Sequence, residues 1–250
     1  TAFTPHPFVP SGAVLYLTDW QGRQQLHTNS RTNLCLRSQE FNDASWNKSG
    51  QGTATLPVVT QDAGAAPDGT TTAERVQFNR GAGVTVADIC TIAQANISAT
   101  IGQRYSLSIW LKSNTGSNQR VMIYWVGVAG GTITNVVTVT PQWQRFTISE
   151  LAASATIGIQ VGCRVTYGDA VLDLLMWGAQ VELSAAPTSY IPTTTAAATV
   201  TDYTLSGATF TLATAPAANA ILGLAMKGGS VFYLGSAWRT QNGDPVQAAI

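Results

Sequence analysis

The sequence predicts an all-β protein built around an antiparallel sandwich. Three observations carry that expectation. Apolar and polar residues alternate with period two in one segment after another. No window repeats apolar residues at helical spacing over three turns without meeting Gly, Pro or a β-branched cluster. Turn-forming clusters punctuate the chain at about 8–12-residue intervals, the spacing of a sandwich or barrel.

Taken in order, residues 1–30 read as a proline-rich arm that ends in a short strand at 13–18 and is too small to fold alone. Residues 31–193 read as the main sandwich. Its clearest strand is 105–112, which sets Tyr105, Leu107, Ile109 and Leu111 on one face and Ser106, Ser108, Trp110 and Lys112 on the other. Segments 120–128, 132–140, 143–149, 156–166 and 170–183 alternate in the same way. Between them stand turn signals at 113–118, Gly130-Gly131, Pro141-Gln142 and 167–169. A small-residue linker opens the region 194–250. A second, small β unit follows, with strands at 203–205, 209–212, 220–226 and 230–234, and 239–250 reads as a polar, loose end.

The surface is polar but nearly uncharged, since only 10% of the residues are Asp, Glu, Lys or Arg against about 25% in an ordinary domain. Thirteen basic and thirteen acidic residues cancel, which removes colloidal repulsion and favours association. No basic stripe is present, so nucleic-acid binding is excluded as an expectation. Neither a signal peptide nor an apolar run long enough to span a bilayer is visible, and no membrane insertion is expected. Cys35, Cys90 and Cys163 are odd in number and lack metal-site spacing, so they read as buried free thiols of a chain assembled in a reducing cytoplasm.

No catalytic constellation is found. The only histidines, His6 and His27, lie in the arm, and no GxSxG, P-loop or GxGxxG is present. No cofactor and no metal site are predicted, and no EF-hand-like spacing points to calcium. Among the acids, Glu74, Asp173 and Glu182 lie inside strand-like runs, where polar surface positions are the expectation. Aromatic residues are the stronger signal. Trp110 stands on the polar side of its strand, and Tyr124 and Trp125 follow on the next with opposite facings. These three are the candidate glycan-binding residues, with core packing or subunit contact as the competing role for Trp110. Trp46, Trp143 and Trp177 read as core or rim aromatics.

Several stretches carry a family resemblance: RTNLCLRS at 31–38 with Phe41 and Trp46, APDGTTTAERV at 66–76, GQRYSLSIWLK at 102–112, WQRF at 143–146, WGAQVE at 177–182 and PTSYIPT at 187–193. In that order they resemble a module of bacteriophage virion proteins that is itself similar to jelly-roll carbohydrate-binding modules. The stretch 202–216, DYTLSGATFTLATAP, resembles a second β pattern of phage tail-fibre and attachment segments. The resemblance implies a jelly-roll sandwich in a non-catalytic virion structural protein, of tail fibre, tail-attachment, head fibre or head decoration type. The partners it implies are other virion proteins, further copies of the chain (a trimer by analogy) and host surface polysaccharide. The alternative is a carbohydrate-binding receptor module of a tail protein or of a secreted polysaccharide-degrading system. No defined sugar site is carried over. The motif residues themselves read as fold-keeping: Pro67, Asp68 and Gly69 as turn formers, Trp177 and Tyr190 as a seal, and Gln180 as a partner for buried backbone groups.

Overall fold

The computed structural model describes residues 30–200, apart from the side chains of 132 and 133, together with the backbone of the flanking strands. In chain order the strands are β1 (Val14–Thr18), β2 (Gln24–Thr28), β3 (Ser30–Asn33), β4 (Asn47–Gln51), β5 (Val58–Gly64) and β6 (Ala73–Asn79). They continue with β7 (Ile89–Ser98), β8 (Arg104–Ser113), β9 (Gln119–Val128), β10 (Gly131–Val139), β11 (Gln144–Leu151), β12 (Thr156–Arg164) and β13 (Val171–Glu182). The last five are β14 (Ala198–Thr201), β15 (Tyr203–Ser206), β16 (Thr209–Leu212), β17 (Leu222–Ala225) and β18 (Val231–Leu234).

The chain divides into two compact units, residues 32–198 and residues 1–31 with 199–250. The first is a jelly-roll β-sandwich. One five-stranded sheet runs β10-β9-β12-β7-β4 and the other β11-β8-β13-β6-β5, with antiparallel pairing throughout. Alternation explains the pairing of faces, because every second side chain on a strand points inward. Val121, Ile123, Trp125, Ile159 and Val161 of the first sheet are at most 1% exposed, as are Leu107, Ile109, Leu111, Leu174 and Met176 of the second. Each such side chain contributes about 1.5–3 kcal/mol of burial.

The second unit holds the four-stranded sheet β18-β17-β1-β2 and the β15-β16 hairpin. Strand β1 pairs with β17 through Leu17 and Leu224. The 13–18 segment expected in the arm thus shares a sheet with C-terminal strands. The expectations for residues 1–10 and 239–250, and for the side chains of His6 and His27, lie outside the described residues.

A hydrogen-bonded latch joins the start of the sandwich to its end. Asn33, wholly buried, donates from Nδ2 to Ala179 O (3.0 Å) and Ile191 O (2.8 Å). Its Oδ1 accepts from Cys35 N (3.0 Å) and Val181 N (3.1 Å), so all four capacities of the amide are used. Thr193 Oγ1 donates to Cys35 O, and Thr193 N donates to Ser38 Oγ. Gln180, also wholly buried, accepts from Ile191 N at 2.7 Å, which is the backbone-satisfying role expected of it.

A second, smaller core lies on the outer face of the second sheet. Ala66, Ala73 and Trp177 are buried there, with Trp110, Trp143 and Tyr190 packed around them. A bulge between Trp177 and Gln180 keeps both side chains on this face. Gly178 makes the bulge possible: its φ is 64°, and a Cβ there would meet Trp110 Cδ1 at 3.2 Å and Tyr190 Cε2 at 3.4 Å. The Trp177 and Tyr190 rings stand 4.4 Å apart between centroids, the seal anticipated for them.

The three cysteines are free and buried. Cys90 and Cys163 are partners in register across β7 and β12, a neighbourhood that their sequence separation conceals. Burial pushes the Cys35 thiol up to about 12.

Candidate functional site

The outer face of the first sheet brings one aromatic ring and several amide and hydroxyl side chains into a line. Strand register places Thr134 beside Tyr124, Tyr124 beside Gln160, Gln160 beside Ala93 and Ala93 beside Asn47. The row crosses all five strands at right angles to the chain. Tyr124, Gln160 and Thr134 are half-buried and Asn47 is exposed. Parallel to it runs a second row, Val136, Met122, Gly162, Thr91 and Ser49. The central positions of both rows are low, because Ala93 and Gly162 lack bulk and Met122 and Thr91 are buried. Tyr124 and Gln160 stand on one side of these positions and Asn47 and Ser49 on the other.

Such an arrangement has definite chemistry. A phenol ring offers a flat apolar face, and amide side chains each offer donors and an acceptor. Together they suit a ligand that carries C–H faces and hydroxyl edges on one ring. The cross-strand spacing of about 4.8 Å sets neighbouring side chains at the scale of a sugar ring.

Of the three candidate residues, only Tyr124 stands in this row. Trp125 is a correction: it is 1% exposed and sits in the main core. The strand fixes this, because adjacent residues face opposite sides and Tyr124 holds the outer one. Trp110 does lie on the outer face of its strand, but that face is covered. Ser106 and Ser108 beside it are wholly buried, and segments near 66 and 190 fold over the sheet to complete the small core. Trp110 Nε1 is buried without a hydrogen-bond partner, so apolar packing alone positions the ring. Trp143 and Trp177 donate instead to Ala65 O (3.0 Å) and Thr72 Oγ1 (2.9 Å), and Trp46 is 1% exposed. The site residues that sequence reasoning missed are Gln160, Asn47 and Thr134. Alternation marks them as outward-facing, but only cross-strand register shows that they meet.

The strand acids are also a correction, since two of the three are not on a polar surface. Glu74 and Glu182 are each 2% exposed. Glu74 accepts from Asn42 N at 2.9 Å, and burial pushes its carboxyl up to about 7. Glu182 accepts from Thr188 N (2.8 Å), Thr188 Oγ1 (2.5 Å) and Gln180 Nε2 (2.7 Å). Asp173 takes a bidentate ion pair from Arg75, with Arg75 Nε on Oδ1 at 2.8 Å, which holds its carboxyl below the usual range. Each acid is therefore occupied by fold-keeping partners. The loop acid Asp88 is held well below the usual carboxylate range by donors from Thr53 and Thr85.

Among the described residues, no group of three or more His, Cys, Asp or Glu side chains gathers as a metal site. One cluster of carbonyls, at Asn42, Asp43 and Trp46, does converge, and the Lys48 ammonium fills it with bonds of 2.8, 3.2 and 3.2 Å. The chain supplies its own cation at that point. No described helix is long and apolar enough to cross a membrane.

No family model matches the chain, and a search of curated proteins finds no relative. Solved structures with a similar arrangement include a CBM4 module at 15% identity, spanning 53% of this chain and 87% of that one, with a TM-score of 0.36. The CBM22-1 xylan-binding domain of Paenibacillus barcinonensis Xyn10C matches at 14% identity over 63% of this chain and 94% of its own, with a TM-score of 0.38. The enzymatically active domain of tailspike protein 4 from bacteriophage CBA120 matches at 13% identity over 58% of this chain, with a TM-score of 0.39. This chain spans 20% of that tailspike domain's length.

Proposed function

We propose that the sandwich binds polysaccharide without catalysis, through the outer face of its first sheet. The carrying observation is the five-strand row in which Tyr124 is flanked by Gln160, Thr134 and, across Ala93, Asn47. One sugar ring stacks on Tyr124, and the amides take its hydroxyls. The strand acids do not enter this reading, since Glu74, Asp173 and Glu182 are committed to the fold.

We place this module in a bacteriophage virion structural protein, as a fibre, tail-attachment or head-decoration component that holds to host surface glycans. The support is the ordered resemblance of the stretches at 31–46, 66–76, 102–112, 143–146, 177–182 and 187–193, followed by a second phage-like stretch at 202–216. The low charge of the chain suits permanent assembly with other virion proteins, because few ions need desolvation at a contact.

Screening the protein on an array of bacterial surface glycans tests the binding reading. Tyr124→Ala should weaken the best hit by about 10- to 100-fold, the loss of one stacking contact. Trp110→Phe should leave binding unchanged, since that ring packs against the small core on the other sheet. Binding that survives Tyr124→Ala, or an array without any hit, refutes the site. Immunogold labelling of purified particles with an antibody to the chain tests the virion location.

A further inference from the structure

Strands β10 and β11 follow one another in the chain yet belong to different sheets, and each is the outer strand of its sheet among the described residues. Their ends are tied together, by Ala129 N donating to Leu151 O (2.7 Å) at one end and Thr140 N donating to Gln144 Oε1 (2.7 Å) at the other. Between those ties the strands diverge around a cleft of about 330 Å³, lined by Ile123, Val137, Phe146 and Ile148 with Asn135 and Glu150. Val137, Phe146 and Ile148 pack against the main core but are only partly buried. Elsewhere, inward-facing residues such as Val121, Ile109 and Leu111 are wholly buried. Among the described residues the core is thus left partly open along this edge.

The opposite edges are guarded, whereas on this side only β11 carries charge, with Arg145 and Glu150. Strand β4 is five residues long and carries Lys48, while β5 breaks its register between Thr60 and Gly64, with Asp62 at φ 48°. Short length, charge and bulges are the devices that stop an edge from pairing with another chain. Strand β10, GTITNVVTV, is nine residues long with neither charge nor proline. Its register shift is confined to its start, between Gly131 and Ile133. Asn135 is the midpoint of the strand and a half-buried amide among the apolar side chains of the cleft.

We propose that this edge pairs with the same edge of a second copy of the chain, antiparallel and two-fold, with Asn135 on the axis. A strand centred on Asn135 matches all nine residues with itself, Gly131 against Val139. At the axis the two Asn135 amides meet, each with a donor and an acceptor for the other. The pairing satisfies the outward backbone groups of β10 and covers the open core. With thirteen charges of each sign, the chain sets up no net repulsion between copies. If the glycan reading also holds, the joined sheets carry two Tyr124 residues about 16 Å apart, three strand spacings across and two residues along, on one continuous face.

Light scattering and sedimentation of the whole chain test the pairing without any glycan. The expected mass is twice 26.3 kDa over about a hundredfold range of concentration. Val136→Lys, which puts a charge on the edge, should give a monomer with an unchanged circular dichroism spectrum. Asn135→Cys should form a disulfide-linked dimer under mild oxidation, because opposed antiparallel Cα atoms lie about 4.5–5.5 Å apart, within disulfide reach. The parent chain, with its cysteines buried, should not. A parent chain that stays monomeric, a dimer indifferent to Val136→Lys, or an Asn135→Cys chain that does not cross-link overturns the proposal.

Discussion

Replacing Asn33 with Ala should cost the sandwich about 3–5 kcal/mol, more than any surface change of similar size. The side chain makes four hydrogen bonds, all to buried backbone groups at Cys35, Ala179, Val181 and Ile191. Each is worth about 1 kcal/mol net, and each orphaned backbone group adds a desolvation penalty of about 1–3 kcal/mol where relaxation or water does not reach it. The sum is a large part of the roughly 5–15 kcal/mol that holds a domain folded. Urea unfolding followed by tryptophan fluorescence reads it directly, because Trp46, Trp125 and Trp177 are buried in the same unit. The midpoint should fall while the slope stays constant. Asn33→Asp keeps both acceptor contacts but turns an oxygen toward Ala179 O and Ile191 O. It should be as damaging at neutral pH and should recover in part on acidification, when a protonated carboxyl can donate again. A loss below about 1 kcal/mol for Asn33→Ala would refute the latch as the tie between the two ends of the sandwich.

Glu74 has a raised folded-state value of about 7, so the folded protein binds a proton that the unfolded chain releases near pH 4.5. Its linkage therefore favours the fold fully below pH 4.5 and is lost as pH rises toward 7. The amplitude is about 1–2 kcal/mol after discounting for solvent screening, and Glu74→Gln should flatten that slope in thermal melts taken from pH 4.5 to 8. Asp88 has the opposite sign: its support is present above the ordinary carboxylate range and fails as pH falls below it, so Asp88→Asn should blunt acid unfolding. Gly83→Ala should lower the urea midpoint, because a Cβ there would overlap the Asp88 carboxylate. A thiol reagent should titrate none of the three cysteines in the native protein and all three in denaturant; rapid native labelling would contradict their burial.

Particular elements show why some of this was legible in the sequence. Strand β8 reads plainly, since every odd position from Tyr105 to Leu111 is apolar and all of those are buried. Strand β4, NKSGQ, offers no such pattern, because an edge strand buries little and Gly50 occupies an inward position against Thr55. The polar side of β8 misleads for a related reason. Ser106 and Ser108 read as solvent-facing, yet they are buried beside residues distant in the chain: Ser184 meets Ser106 at 2.7 Å, and Arg145 Nη2 donates to Ser108 Oγ at 2.8 Å. Trp125 and Tyr124 could be assigned opposite faces from the sequence, but not which of them faced the core.

By itself the sequence determined the all-β class and the turn positions of the sandwich from 113 onward, since alternation and turn chemistry are local properties of the chain. Tertiary structure decided which outer face stayed open, which acids were buried, and that Tyr124, Gln160 and Asn47 share one row. Those outcomes depend on strand register and on which segment folds over which sheet. Register sums contributions from residues far apart in the chain, and no single stretch of sequence contains that sum.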